Sequence, residues 1–269
     1  MIDRIDERLE LAKRIAVEAG DLASGMRSNR GDLVGNVKSH QDFVTAADLA
    51  AERLIRDRIS EHFSDDSVLG EEQGTSGDGK ALWVVDPIDG TTNFMHGLAD
   101  WCVSIAFCYD GVIVCGAIYV PDSATLAWAS LGNGAFMNGE RMAVSSCVDP
   151  KRALVLLGRS GRTSNADYLS LIKSVFEQGM EYRRNGSAAV SLLTVACGRV
   201  EGFYESHLNA WDVFAGILLI QEAGGKVDCP SITEFITNGG YLMASNTCLH
   251  DDMSVISRAH DADIALAAE

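Results

Sequence analysis

Apolar residues recur at intervals of three and four near the start of the chain (Leu9, Ala12, Ile15, Ala16, Ala19, Leu22, Ala23), a spacing that predicts one long helix from about Ile5 to Met26. The pattern breaks over the polar residues 31–41 and resumes in a second helical stretch, Ala46 to His62. It then changes character. Ser67-Val-Leu69 and Ala81-Leu-Trp-Val-Val85 are short apolar runs of the strand type, the first ending in Gly70-Glu-Glu72 and the second in Asp86. The segment between them, Gln73 to Lys80, is rich in glycine and small polar residues and reads as an exposed, mobile loop. Cys102 to Val120 is the longest apolar stretch, but Asp110-Gly111 divides it into two strands of a hairpin rather than a membrane span.

Further strands are expected at Leu126–Ala129 and around Ala135–Met137, with Asn138-Gly139 as a turn. After Pro150 the alternation restarts with a strand near Ala153–Leu157 and a helix from about Asn165 to Gln178. Gly186-Ser-Ala-Ala189 opens another helix, Val200–Tyr204 reads as a strand, and Trp211–Ala223 as a helix stopped by Gly224-Gly225. A strand at Tyr241–Ala244 and a helix from about Asp251 complete the pattern. Helices and strands alternate irregularly, with hairpins among them, so the expected class is mixed α/β. No repeat or linker separates independent units, and one domain over 1–269 is expected, with halves of about 1–149 and 150–269 around one site.

The formal net charge of −16 argues against direct binding of nucleic acid or of an anionic membrane surface. It would also repel a phosphate ester, unless bound divalent cations reverse the sign locally. The seven cysteines form no CxxC pair and mostly sit among apolar residues, as buried free thiols do. The charged, amphipathic opening residues do not read as a signal peptide, and a reducing cytoplasm is the expected location.

The densest chemistry lies in Asp86-Pro-Ile-Asp-Gly-Thr-Thr-Asn-Phe94. Two carboxylates leave the end of a strand as hard oxygen ligands suited to Mg2+. Gly90, Thr91 and Thr92 follow as the opening of a helix whose free N–H groups face an anion. Three other segments fit: the carboxylates of Gly70-Glu71-Glu72, the hydroxyl and carboxylate of Thr45-Ala-Ala-Asp48, and Trp211-Asp212-Val-Phe-Ala-Gly216, with an aspartate at a helix start. Helix capping is the plain alternative for Asp86, Asp89 and Asp212. Glu72 is equally a surface charge or a helper beside Glu71, and Ser187 and Glu205 have capping or a surface ion pair as alternatives. Gly74-Thr-Ser-Gly-Asp-Gly79-Lys80 nearly matches a P-loop, but Ala81 stands where that motif needs Ser or Thr and a strand follows.

GEE, DPIDGTTNF and WDxxAG occur here in one order, and together they make the chain resemble the inositol monophosphatase family over nearly its whole length. The resemblance implies a five-layer αβαβα sandwich and a Mg2+-dependent phosphatase holding two or three ions. By that resemblance Glu71, Asp86 and the Ile88 carbonyl hold the first metal, Asp86 bridges, and Asp89 and Asp212 complete the second site. Thr91, supported by Asp48, orients the attacking water, with Glu71 the third catalytic group. Backbone N–H groups of Gly90 and Thr91 bind phosphate, Ser187, Ala188 and Glu205 contact the substrate's hydroxylated body, and Lys38 belongs to an early mobile loop that helps close the site. The implied substrate is a small phosphate monoester, with myo-inositol 1-phosphate leading and histidinol phosphate or a broad range of small esters as alternatives. A homodimer, inhibition by Li+ and, in some bacterial members, a non-catalytic role in transcription complexes are also implied.

Overall fold

A computed structural model describes residues 4–28, 36–39 and 42–256 of the chain. The two N-terminal helices, α1 (Ile5–Ser28) and α2 (Ala46–His62), follow the apolar spacing closely. Between them, β1 (Asn36–Ser39) and β2 (Asp42–Val44) pair antiparallel. The polar segment expected to be a loop is therefore a hairpin in part, and Lys38 stands on its first strand. Strands of four and three residues are too short to display a period of two.

The first sheet has eight strands, β3 (Ser67–Gly70), β4 (Gly74–Ser76), β5 (Ala81–Asp89), β6 (Cys102–Tyr109), β7 (Val112–Val120), β8 (Thr125–Ser130), β9 (Gly134–Met137) and β10 (Glu140–Arg141), in the order β10-β9-β8-β7-β6-β5-β3-β4. Only β3 and β5 run parallel; α2 precedes β3, and the other neighbours are antiparallel. β4 corrects the expectation of an unstructured loop over 73–80: it pairs with β3 through its backbone, while its small side chains carry no apolar signal. Short α3 (Thr91–His96) leaves the end of β5, with β2 alongside it.

The second sheet comprises β11 (Leu154–Leu157), β12 (Glu181–Arg183), β13 (Gly202–Leu208), β14 (Lys226–Asp228) and β15 (Gly240–Ser245), ordered β12-β11-β13-β15-β14. Its helices are α4 (Asn165–Glu177), α5 (Ala188–Ala196), α6 (Ala210–Glu222), α7 (Ile232–Asn238) and α8 (250–256). β13 begins later and runs further than the apolar run Val200–Tyr204, because it continues through the polar residues Glu205-Ser-His207, of which Glu205 lines a cleft.

Four apolar interfaces stack these elements into five layers. α1 and α2 bury Ile15, Ala19 and Ile55 against Trp83, Val103 and Phe107 of the first sheet. The opposite face of that sheet packs on α5 and α6, whose buried residues lie all round the helix, as expected of helices enclosed between two sheets. Strand alternation then divides the second sheet: Leu156, Phe203 and Leu242 face α5 and α6, while Val155, Tyr204 and Met243 face α4 and α8. Gly216 lets α5 and α6 approach, since a Cβ there would lie 2.5 Å from Leu192 Cδ1. The order is α, β, α, β, α, as the motifs implied.

Candidate metal centre and substrate cleft

The site forms where the polar end of β5 meets the starts of α5 and α6. Asp86 and Asp89 both belong to the last turn of β5, and the pairing of β5 with β6 slips between them. Pro87 sits in that slip, where its missing N–H costs the ladder nothing. Asp212 comes from the first turn of α6, where its Oδ2 accepts the Asn209 N–H at 2.7 Å. One carboxylate oxygen from each of Asp86, Asp89 and Asp212 lies within 4.8 Å of the others. None of the three forms an ion pair with a basic side chain among the described residues.

The electrostatics of this cluster are unfavourable without a cation. Burial holds Asp86 well above the usual carboxylate range, and the charges of Glu71, Asp89 and Asp212 push it further. Asp212 is raised in the same way, by burial first and then by Asp89 and Glu71. Asp89 is raised by burial, but hydrogen bonds from Ser187, Ala189 and Ala188 oppose the rise. A divalent ion bound by hard oxygen donors would remove the repulsion, and this donor set of carboxylates without imidazole or thiolate ligands fits Mg2+. Cys102 approaches Asp89 at 3.9 Å, but burial pushes its thiol well above its ordinary value, leaving it neutral behind the ligands.

Glu71 follows β3, and its charge acts on both Asp86 and Asp212. Its turn is held by a residue that motif reading passed over. Glu52 of α2, fully buried and ion-paired to Arg56 at 2.8 Å, accepts the N–H groups of Glu72 at 2.7 Å and Gln73 at 3.1 Å. The only sequence signal was the acid–base pair four residues apart.

Thr91 and Asp48 meet at the edge of the cluster. Asp48 Oδ2 accepts the Thr45 N–H at 2.8 Å and the Thr45 hydroxyl at 2.5 Å. Its Oδ1 lies 3.4 Å from Thr91 Oγ1, which also reaches the Ile88 carbonyl at 3.1 Å. Burial raises Asp48 to about 6, against the pull of the Thr45 hydrogen bonds. Gly90 precedes α3 with φ of 93°, and a Cβ there would meet the Asp100 carbonyl at 2.9 Å. A side chain at this position is excluded on both counts.

Beyond the acids opens a cleft of about 170 Å3, lined by Asp89, Asp212, Ser187, Ala188 and Glu205 among others. The five residues expected at metal and substrate are thus brought together. Burial raises Glu205 to about 8, with Asp89 adding and Arg184 opposing. Arg159 and Arg184 also line this cleft and were not singled out from the sequence, where they are two arginines among 22 basic residues. Lys38 is described through its backbone, so its side chain lies outside the described residues.

Family comparison follows the same geometry. A family model described as the inositol monophosphatase family matches residues 4–263. The chain belongs to the inositol monophosphatase family. Among relatives of this family member, the Nus factor SuhB of Pseudomonas aeruginosa is 40% identical over 250 residues, covering 89% of this chain and 91% of the relative. The inositol-1-monophosphatase of Mesorhizobium japonicum is 36% identical, covering 88% and 91%. Among solved structures, the extragenic suppressor protein suhB of Bartonella henselae superposes with a TM-score of 0.87 at 32% identity, covering 94% of this chain and 98% of that one. Among the described residues no helix is long and apolar enough to cross a membrane.

Proposed function

We propose that this family member is a Mg2+-dependent phosphomonoesterase acting on a small polyol monophosphate, with myo-inositol 1-phosphate the leading substrate. The observation that carries this reading is the cluster of Asp86, Asp89 and Asp212 with the Thr91–Asp48 pair at its edge. Glu71, Asp86, Asp89, Asp212 and the Ile88 carbonyl would hold the metal. Bound there, Mg2+ supplies charge neutralisation for the phosphoryl oxygens and a more acidic water.

The chain's own groups do the remaining work. Thr91 Oγ1 orients the attacking water and passes its proton toward Asp48, whose value of about 6 suits an acceptor near neutral pH. The backbone N–H groups of Gly90 and Thr91 hold phosphate oxygens, helped by the absence of a side chain at Gly90. Ser187, Ala188 and Glu205 face the hydroxylated leaving group from the cleft. The cleft volume of about 170 Å3 is well under the range for drug-sized ligands, which favours a compact polyol.

Purified protein assayed with Mg2+ against myo-inositol 1-phosphate, histidinol phosphate and 3′-phosphoadenosine 5′-phosphate separates the substrates. Preferential turnover of the inositol ester is expected, and Asp89→Asn should remove most of it with the fold intact. Near-normal activity in that variant would sink the reading. Inhibition by Li+, a cytoplasmic location and a homodimer belong to the same proposal, the last checked by mass measurement in solution.

A Nus-factor role is the second reading, favoured by the name of the Pseudomonas relative. A pull-down with Asp89→Asn separates it from catalysis, because an interaction surface should survive the loss of a metal ligand.

A further inference from the structure

Asn93 is a buried polar side chain of the Asp86–Phe94 segment with no part in the proposed chemistry. It stands in the first turn of α3, four residues beyond Asp89. Its Nδ2 donates to the Asp100 carbonyl at 2.6 Å and to the Asn185 carbonyl at 2.8 Å. Both partners are carbonyl oxygens, which only the NH2 group can meet, so the surroundings fix the orientation of the amide. The two bonds differ in kind. Asp100 belongs to the loop between α3 and β6, and its carbonyl lies against Gly90. Asn185 lies 92 positions further along, in the turn between β12 and α5. One N–H therefore anchors the amide locally, and the other reaches into the second half of the chain.

Little else ties that turn to the first half. Arg183, Arg184 and Gly186 are exposed, and among the described residues no other hydrogen bond joins residues 184–186 to the first half of the chain. Gly186 has φ of 84°, and a Cβ there would lie 3.2 Å from the Asn93 amide, so the bare backbone lets the two segments close up. Directly after it come Ser187 and Ala188, which line the cleft. Asp89 holds this stretch from the other side of Gly90, accepting from Ser187, Ala188 and Ala189. Residues 185–189 are thus gripped twice by one short segment, through an acceptor at Asp89 and a donor at Asn93. A cation bound at Asp89 would compete for that carboxylate's lone pairs, whereas the Asn93 bond is indifferent to it.

We propose that Asn93 is a positioning residue for substrate selection: its amide fixes the turn 185–187, and with it the Ser187 and Ala188 wall, against the Asp89 end of β5. This rests on the phosphatase reading above and deepens it. Asn93 itself does not line the cleft. Its effect is felt where the wall meets the hydroxylated body of the substrate, and not at the phosphorus. Its signature is therefore a change in KM confined to hydroxylated esters.

The test compares myo-inositol 1-phosphate with phenyl phosphate, which has no hydroxyl groups for the wall to meet, in Mg2+, for the wild type, Asn93→Leu and Asn93→Ser. Leucine keeps the branched shape and removes the donor, while serine leaves space for a water to bridge the two carbonyls. Asn93→Leu should raise KM for the inositol ester roughly 10-fold, the worth of one hydrogen bond, with kcat little changed. Asn93→Ser should recover part of that loss, and phenyl phosphate should respond little to either variant. Equal losses on both esters, a loss confined to kcat, or no change in either variant overturns the proposal. Amide hydrogen exchange of the metal-free protein gives a readout independent of turnover. In Asn93→Leu the N–H groups of Ala188 and Ala189 should exchange roughly 10-fold faster, while those of β7 in the core keep their wild-type protection. Unchanged exchange at Ala188 and Ala189, or acceleration shared equally by β7, overturns the proposal. Should the leucine variant fail to fold, Asn93→Ser decides by the same two measurements, with a smaller shift in the same direction expected. Should the wild type hydrolyse neither ester, the phosphatase reading falls, and the exchange measurement alone decides whether Asn93 holds the turn.

Discussion

The Ser187 hydroxyl donates to the Asp89 carboxylate across 98 positions of sequence, joining the end of β5 to the start of α5. The N–H groups of Ala189 and Ala188 reach the same carboxylate at 2.7 and 3.3 Å. Asp89 is therefore both the cap of a helix from the second half of the chain and a member of the acidic cluster. Ser187 in turn accepts the Val190 N–H at 3.2 Å, so one hydroxyl serves helix and carboxylate together.

Ser187→Ala tests that joint. It removes one donor to a buried carboxylate and one acceptor from the first turn of α5, at an expected cost of about 1–3 kcal/mol in thermal or denaturant unfolding. Mg2+ affinity should fall as well, because Asp89 loses a group that orients it. Unfolding and metal titration unchanged from the wild type would remove Ser187 from the machinery.

Thr91 and Asp48 should behave as a unit. Thr91→Ala and Asp48→Asn are each expected to lower kcat by roughly 100- to 10,000-fold, the range for a positioned proton acceptor, and the double variant should lose little more than either single one. Thr91→Ser, which keeps the hydroxyl, should retain most activity. Additive losses in the double variant would show that the two residues act separately.

Much of this arrangement was legible in the motifs, and the reason is physical. Asp86, Asp89 and Thr91 occupy one turn, where sequence neighbours are also spatial neighbours, and a local motif can describe them fully. Asp212 was legible because it sits at a helix start after an aromatic residue. Glu52 and Arg184 were not, since each acts across a tertiary contact that spacing does not encode. Short edge strands were hidden as well: β12 and β14 alternate exposed and half-buried residues over three positions and bury little apolar surface. α7 is a different kind of omission. Ser231 and Glu234 form a capping box at its start, a local signal that was present in the chain.

Stability of the metal-free protein should decline as pH rises, the reverse of the usual acid denaturation. Asp48 moves from 3.8 to about 6 and Glu205 from 4.5 to about 8, while Asp86 and Asp212 lie well above their ordinary value. In each case the folded state holds a proton that the unfolded chain releases, so deprotonation between the unfolded and folded values favours unfolding. In EDTA the Tm should therefore fall between about pH 5 and about pH 8, and Mg2+ should restore it, by about 2.7 kcal/mol at a hundredfold excess over Kd. A metal-free Tm that rises steadily over this interval would contradict the electrostatic account of the cluster.

Glu52 offers the cleanest separation of positioning from chemistry, since it touches the backbone that carries Glu71 and has no assigned contact with substrate. Its carboxylate is fully buried, pairs with Arg56 and receives two backbone N–H groups. Arg56 continues the network to the Gly74 carbonyl at 2.5 Å and Ser76 Oγ at 3.1 Å, tying β4 to the same turn. Glu52→Ala strands a partly buried guanidinium and should cost about 3–5 kcal/mol, enough to obscure any effect on function. Glu52→Gln keeps the volume and one acceptor oxygen, and is the informative change. Roughly tenfold weaker Mg2+ binding is expected, as for other groups that orient a metal ligand, with kcat at saturating Mg2+ close to that of the wild type. A fall in kcat that Mg2+ does not rescue would mean that Glu52 shapes the reacting groups themselves. Unchanged Mg2+ affinity would mean that the Glu71 turn holds its position without it.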